Sequence, residues 1–146
     1  MARNTFIAFA LATCVMQSSK PFTRVKSAMT SGFTEPTELV VRDQQSLVDA
    51  WSTLSNGIAG NPAPTIDLTR KTVVILALGT RNSGGYAIKS DSVAAEGGNA
   101  TVFYTVTTPG PDCMTSQIQT SPVDIISFDR VRGDVRFKQH NVVGKC

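Results

Sequence analysis

Few residues in this 146-residue chain have side chains suited to acid–base, nucleophilic or metal chemistry. The single histidine, His140, lies between Gln139 and Asn141 in a basic C-terminal segment, a context typical of an exposed side chain rather than of a general base. Ser83 precedes two glycines but lacks the Gly-x-Ser-x-Gly spacing of a hydrolase nucleophile. One histidine also leaves little scope for a common zinc site or a Ser-His-Asp hydrolase.

Acidic residues near predicted turns are the remaining candidates for catalysis. Their spacing does not require any two of them to converge, and a single carboxylate at the end of a strand is usually solvated. These candidates are Asp67, Asp91, Glu96 and Asp112. We therefore predict that the chain is not an enzyme and has no catalytic residues, no metal site and no cofactor.

The three cysteines have two different predicted roles. Cys14 ends the N-terminal apolar run, so its removal or modification during export leaves Cys113 and Cys146 as an even pair. An even pair in an oxidising compartment indicates a disulfide, and this one would hold the C-terminal residues on the body of the domain. Two unpaired thiols in a cytosolic protein are the alternative.

Residues 1–14 have the layout of an export signal, with Arg3 before an apolar run and small residues near its end. The apolar run is 12 residues long, shorter than the roughly 20 residues that a transmembrane helix requires. The sequence Leu11-Ala12-Thr13-Cys14 resembles a bacterial lipoprotein signal, in which Cys14 carries the lipid. Cleavage after Ala10-Leu11-Ala12 is the alternative and would release a soluble protein. We predict export to the cell envelope, with a lipid anchor as the only membrane contact.

Residues 15–34 are rich in Ser and Thr, include a Pro and a Gly, and lack a hydrophobic period. This composition predicts a flexible tether, followed by a single folded domain over residues 35–146. Residues 130–146 carry five basic residues against one acidic residue. Because Phe137 is the only aromatic residue in that segment, we expect a solvated basic strand and no nucleic-acid partner.

Hydrophobic periodicity predicts one helix and about seven short strands. Asp43 is a suitable N-cap for a helix over residues 44–55, whose apolar residues recur with helical spacing. Residues 72–78 form a continuous apolar run, typical of a central strand covered on both faces. The other predicted strands are 38–42, 86–91, 101–106, 115–120, 123–128 and 135–139. The expected fold is α+β, a mostly antiparallel sheet of meander type with one amphipathic helix packed on it.

A glycine-rich loop follows the apolar strand and is the candidate binding site. Its three glycines allow another chain to approach closely, while Arg81 and Tyr86 are residue types that often anchor protein interfaces. A phosphate-binding loop would lead into a helix, whereas a strand pattern follows here. A hairpin connection, with Tyr86 packed at the sheet edge, is the structural alternative. The loop consists of Gly79, Thr80, Arg81, Asn82, Ser83, Gly84, Gly85 and Tyr86.

The apolar strand, Gly79, Arg81 and the Gly84-Gly85-Tyr86 block resemble the family named for the C-terminal domain of the protease-complex subunit PrcB. The upstream helix with Trp51 and the proline-containing segment 109–122 agree with this resemblance, which covers about residues 38–129. Leu68 departs from the family pattern, which has an aromatic residue there. The resemblance implies a non-catalytic subunit that accompanies a secreted protease in the cell envelope.

We therefore predict an exported, lipid-anchored binding module that presents loop 79–86 to a protein partner. The expected partner is an envelope protease, which the module would accompany or stabilise. A protease inhibitor acting through the same loop is one alternative, because the loop is also similar to the Gly-containing loop of chagasin-type inhibitors. A passive envelope protein, in which the loop is only a connection, is the other.

Overall fold

A computed structural model describes residues 17–56 and 61–146, which form eight strands and one helix. The predicted export signal, residues 1–14, and Cys14 lie outside the described residues. No helix among the described residues is both long enough and apolar enough to cross a membrane. The elements are β1 Ser18–Lys20, β2 Phe22–Ala28, β3 Thr37–Val41, α1 Gln44–Leu54, β4 Lys71–Ala77, β5 Ala87–Glu96, β6 Asn99–Thr108, β7 Val123–Asp129 and β8 Val135–Val143.

The strands form two four-stranded sheets that pack face to face, and the helix covers the free face of one of them. The central sheet has the strand order β2-β7-β4-β3, and the outer sheet has the order β1-β5-β6-β8. One apolar cluster lies between α1 and the central sheet, and a second lies between the two sheets. The paired strands are antiparallel except for β6 and β8, which run parallel. The described residues therefore form a three-layer α+β fold.

Strand β4 lies between the two apolar clusters, and six of its seven residues are buried. Val73 and Ile75 face the helix, whereas Val74 and Leu76 face the outer sheet. Successive side chains of a strand point to opposite faces, so a strand between two cores must be apolar throughout. The prediction of a central strand covered on both faces is confirmed.

Helix α1 begins where the sequence predicts. The Asp43 carboxylate accepts a hydrogen bond from the Ser46 amide at 2.8 Å, which satisfies one of the free N–H groups of the first turn. Asn56, with a φ of 52°, follows the helix at its C-terminal end. The apolar face packs on the central sheet through Leu47, Ala50, Trp51 and Leu54. The helix and its buried face are confirmed.

The prediction of a flexible tether over residues 15–34 is wrong for most of that segment. Strand β1 pairs with β5 at the edge of the outer sheet, and β2 pairs with β7 at the edge of the central sheet. The register of β2 shifts between Arg24 and Lys26, so Val25 and Ala28, which are three residues apart, both pack on the helix side, whereas Phe22 packs on the inter-sheet core. This bulge interrupts the alternation of apolar residues, which is why the sequence shows no hydrophobic period there.

The prediction of about seven strands in a single meander sheet also requires correction. There are eight strands in two sheets, and β4 and β5, although consecutive, belong to different sheets. Residues 115–120 do not form a strand, because only Thr120 makes a ladder contact, an isolated bridge to Arg81. Periodicity indicates which face of a strand is buried, but it does not specify the neighbouring strand.

Candidate functional site: a braced loop and the surface around it

The glycine-rich loop 79–86 crosses from the central sheet, at the end of β4, to the outer sheet, at the start of β5. The alternative of a hairpin connection is therefore wrong. The loop runs over one end of the two-sheet sandwich, where it meets residues 29–34 and 109–122. We refer to residues 29–34, 79–86, 109–122 and 142–146 together as the loop end.

Two loop glycines have backbone conformations that disfavour other residues. Gly79 has a φ of +80°, and a side chain there would meet the backbone of Glu35 and Pro36 at 2.9 Å. Gly85 has a φ of +89°, and a side chain there would meet Pro109 at 2.9 Å and Thr115 at 3.0 Å. Positive φ and close packing both require glycine at these positions. Gly79 and Gly85 are therefore required by contacts within the chain.

Segment 109–122 braces the loop through hydrogen bonds. Arg81 and Thr120 exchange backbone bonds of 2.7 and 2.9 Å, and the Gly84 amide donates to the Ser116 carbonyl at 2.9 Å. The Thr120 hydroxyl donates to the Ser83 carbonyl at 2.8 Å. On the other side, the Thr80 amide donates to the Thr34 carbonyl at 3.0 Å. These bonds hold the backbone of the loop in one conformation.

The pair Cys113 and Cys146 links segment 109–122 to the C-terminal residues. Cys113 and Cys146 are at disulfide distance, with their Cα atoms 5.4 Å apart, which is the pairing that the sequence predicts. The Gly144 amide also donates to the Thr108 carbonyl at 2.7 Å. The C-terminal residues, the 109–122 segment and loop 79–86 are therefore linked in series at the loop end.

The loop end carries most of the exposed large hydrophobic side chains of the described residues. Arg81 lies over the ring of Tyr86, 5.6 Å from its centre, and both are half-buried, while Asn82 is exposed. Six large hydrophobic side chains are exposed among the described residues, and five of them lie at the loop end. These five are Met29, Met114, Ile118, Val142 and Val143; the sixth, Val48, lies on the helix. Met114 is fully exposed and Ile118 is 65% exposed.

Comparison with protein-family models finds a match to this part of the chain. Residues 72–129 match the family model described as PrcB C-terminal. These residues belong to the PrcB C-terminal family. The PrcB C-terminal segment extends from β4 to β7 and includes both loop 79–86 and its brace, residues 109–122. No curated protein and no solved structure shows significant similarity to the chain.

Residues outside the PrcB C-terminal segment contribute strands, the helix and an ion-pair partner to the same fold. Strand β3 and helix α1 precede it, strand β8 follows it, and Cys146 lies 17 residues beyond its last residue. Asp124, in the matched segment, is fully buried and pairs with Arg24 of β2 at 2.8 Å. It also accepts a 2.7 Å hydrogen bond from the Ser90 amide of β5, so one carboxylate joins both sheets. The hydrogen bond from Arg24 to Asp124 raises the pKa of the guanidinium.

Sequence reasoning missed this ion pair because Arg24 lay in the predicted tether. Asp124 was counted within an apolar strand, although a lone acidic residue in such a strand signals a buried partner. Asp124 is buried whereas Arg24 is exposed at the sheet edge, and the pair lies next to a bulge of β5 between Ser90 and Ser92, which gives it a structural role. It positions the outer sheet on the central one.

A second polar cluster lies at the opposite edge of the sandwich, between β3 and β8. The Tyr104 hydroxyl is 2.5 Å from Glu38 Oε1 and 2.9 Å from Gln139 Oε1. Burial of Tyr104, together with its hydrogen bond to Glu38, raises its pKa well above its usual value. The hydroxyl therefore stays protonated at neutral pH and acts as a hydrogen-bond donor.

Three of the candidate catalytic residues lie on different parts of the fold: Asp67 precedes β4, Asp91 lies on β5 and His140 lies on β8. His140 is exposed, as predicted, on the outer face of β8. Asp67 accepts hydrogen bonds from Thr69, and Asp91 accepts one from Thr105. In residues 17–56 and 61–146, no three His, Cys, Asp or Glu side chains group in a way that suits a metal ion.

Proposed function

We propose that this chain is a non-catalytic accessory subunit of a protease complex in the cell envelope, and that it binds its protein partner through the loop end. The PrcB C-terminal match supports the association with a protease complex, and the match includes loop 79–86 and its brace. The observation that carries the choice of surface is the concentration of exposed hydrophobic side chains at this end.

Exposed apolar residues on a small domain normally occur singly, whereas grouped ones favour an interaction site. Met114 adapts its shape to a partner because its side chain is unbranched and flexible. Arg81 and Tyr86 belong to residue types that contribute strongly to interfaces, and they flank the exposed Asn82. The partner surface therefore combines adaptable apolar side chains with polar anchors.

The braced loop also favours binding with little loss of entropy. A loop held by hydrogen bonds and a disulfide does not have to be ordered when the partner arrives. Gly79 and Gly85 serve this rigidity, whereas Arg81, Asn82, Tyr86, Met114 and Ile118 supply the partner contacts. A disulfide of this kind is stable in an oxidising compartment, in keeping with export through residues 1–14 and a lipid on Cys14.

Capture of a protease from the native cell envelope tests this proposal. The bait is the tagged mature chain, and the test variant is Met114→Ser/Ile118→Ser, which changes two exposed side chains without touching the core. Val48→Ser is the matched control, because Val48 is also an exposed hydrophobic residue but lies on the helix. We expect wild type and control to capture the same protease, and the double variant to capture at least tenfold less.

Equal capture by the wild type and the double variant, or recovery of no protease by any bait, would contradict the proposal. The activity of the captured protease then separates an accessory subunit from an inhibitor. An accessory subunit leaves the turnover of the protease unchanged or prolongs its activity, whereas an inhibitor reduces turnover in proportion to the amount bound.

A further inference from the structure

A cleft opens between the free edges of the two sheets, where β3 and β8 lie opposite each other. Its volume is about 340 Å³, within the range of small-ligand pockets. The floor is made of buried apolar side chains, among them Leu78, Ile88 and Val106, and of the ring of Tyr104. Glu38 and Gln139, both exposed, stand at the two edges.

The polar groups that line this cleft offer more hydrogen-bond acceptors than donors. The Tyr104 hydroxyl has one proton, which it can donate to either Glu38 Oε1 or Gln139 Oε1 but not to both. The Gln139 amide nitrogen is engaged with Asn141 Oδ1 at 2.6 Å, so its oxygen faces the cleft. Among the described residues, Glu38 has no ion-pair partner. A carboxylate and an amide oxygen are thus left to receive donors from a ligand.

We propose that this cleft binds the side chain of an arginine from a polypeptide. The guanidinium supplies several coplanar N–H donors for the Glu38 carboxylate and the Gln139 oxygen, and its methylene stem packs on the apolar floor. A guanidinium is also less strongly hydrated than an ammonium, which lowers the cost of placing it on buried apolar side chains. An apolar or anionic side chain would leave the acceptors unpaired, and a neutral donor would pair with Glu38 without the attraction of opposite charges.

The position of the cleft relates it to the loop end. Leu78, in the floor of the cleft, directly precedes Gly79, and Pro36 contacts that glycine from the rim. A partner seated on the loop end would have the cleft within reach of an arginine; this step alone rests on the proposed function. Binding of the arginine side chain itself does not require the partner.

A titration with a small probe tests the proposal directly. The probe is N-acetyl-L-arginine methylamide, and the control is the citrulline analogue, which has nearly the same shape but no charge. Binding is followed by ¹H–¹⁵N NMR of the full mature chain at low salt, through the backbone amides of Glu38, Ala77 and Gln139. We expect saturable shifts at these amides with the arginine probe and about tenfold weaker binding of the citrulline probe.

Two variants locate the interaction within the cleft. Glu38→Gln keeps an acceptor for the Tyr104 hydroxyl but removes the charge, and we expect it to weaken binding of the arginine probe about tenfold. Glu35→Gln removes a neighbouring exposed charge that does not line the cleft, and we expect less than about a twofold change. Equal binding of both probes, or shifts that do not saturate, would overturn the proposal.

Equal binding of the arginine probe by Glu38→Gln and wild type would also overturn it. If Glu38→Gln fails to fold, which the dispersion of its spectrum reports, the comparison of the two probes on the wild type decides. No partner protein enters the titration. A failed titration therefore leaves the capture experiment valid, and a failed capture leaves the titration valid.

Discussion

The two ends of the sandwich are closed by different kinds of interaction. At the loop end, long connections are tied by backbone hydrogen bonds and by the Cys113–Cys146 pair. At the other end, which we term the turn end, Gly97 and Gly98 join β5 to β6 directly. Three carboxylates make local contacts there. Asp43 accepts a hydrogen bond from Ser46 at the helix cap, Asp67 accepts one from Thr69, and Asp129 accepts one from Lys71 at the start of β4.

This difference supports the loop end as the proposed binding surface. At the turn end, Asp43, Asp67 and Asp129 are paired within a few residues or across one pair of strands, and none of the exposed large hydrophobic side chains of the described residues lies there. The loop end uses covalent and backbone bonds to hold its shape, which leaves its side chains free to point outward. Three perturbations should separate the two ends, in order of decreasing effect.

Removal of the disulfide should cause the largest loss of stability. In the variant Cys113→Ser/Cys146→Ser, the unfolded chain regains the freedom of a loop with a sequence separation of 33 residues. On the chain-entropy account, the free energy of unfolding should fall by roughly 3–4 kcal/mol. Urea denaturation of wild type and variant measures this change.

Hydrogen exchange of the same variant shows where the stabilisation acts. We expect faster exchange at the Gly84 and Arg81 amides, whose acceptors lie in the brace, while the Ser46 amide at the turn end changes only through global unfolding. A loss of stability below about 1 kcal/mol, or equal local loosening at both ends, would contradict this view of the loop end.

Paired glycine substitutions should give an intermediate effect that differs between the ends. Gly85 and Gly97 both have positive φ, but a side chain at Gly85 would press on Pro109 and Thr115, whereas nothing lies within 4 Å of one at Gly97. Gly97→Ala should therefore cost only the backbone strain, about 1 kcal/mol. Gly85→Ala should cost about 2–4 kcal/mol, since overpacking is added to strain.

Thermal or urea unfolding of the two alanine variants measures this difference. Because both substitutions are the same and both sites have positive φ, their difference isolates the packing of the loop on its brace. Similar losses of stability in the two variants would indicate that the loop is not packed as the structure describes.

The parts of the fold that follow from local chemistry could be predicted from the sequence. The Asp43 cap, the apolar face of α1 and the doubly buried β4 each depend on residues close together in the chain. The division into two sheets could not be predicted, because alternation in β5 and β6 is compatible with any neighbouring strand. Strand β2 was missed because its bulge shifts the apolar side chains from one core to the other.

Only part of the candidate site could be predicted from the sequence. Loop 79–86 and the Cys113–Cys146 pairing could be found from glycine content and cysteine number. The packing role of the glycines could not be predicted, because it depends on Pro109, Thr115 and Ser116, which are distant in sequence and approach the loop only in the folded structure. Ile118 could not be identified as a surface residue either, because it was predicted to lie in a strand over residues 115–120.

Acid should give the smallest effect, and it should act on the turn end. The Ser46 amide holds the pKa of Asp43 below its usual value, as the Thr69 hydroxyl does for Asp67 and Lys71 does for Asp129. A carboxyl group with a lowered pKa stabilises the fold fully above its ordinary pKa, near 3.9, and loses that contribution as the pH falls through its folded value. Because all three groups are exposed, solvent screens them and the effect should be modest.

Thermal unfolding at neutral pH and at about pH 3 tests this for the wild type and for the variant Asp43→Asn/Asp67→Asn/Asp129→Asn. We expect the wild type to lose more of its melting temperature on acidification than the variant, whose amides have no proton to gain in this range. Hydrogen exchange at about pH 3 should show lost protection at Ser46 and Thr69, while Arg81 and Gly84 remain protected. Equal acid sensitivity of variant and wild type would mean that the turn end is not held by these carboxylates, and the contrast between the two ends would then rest on the loop end alone.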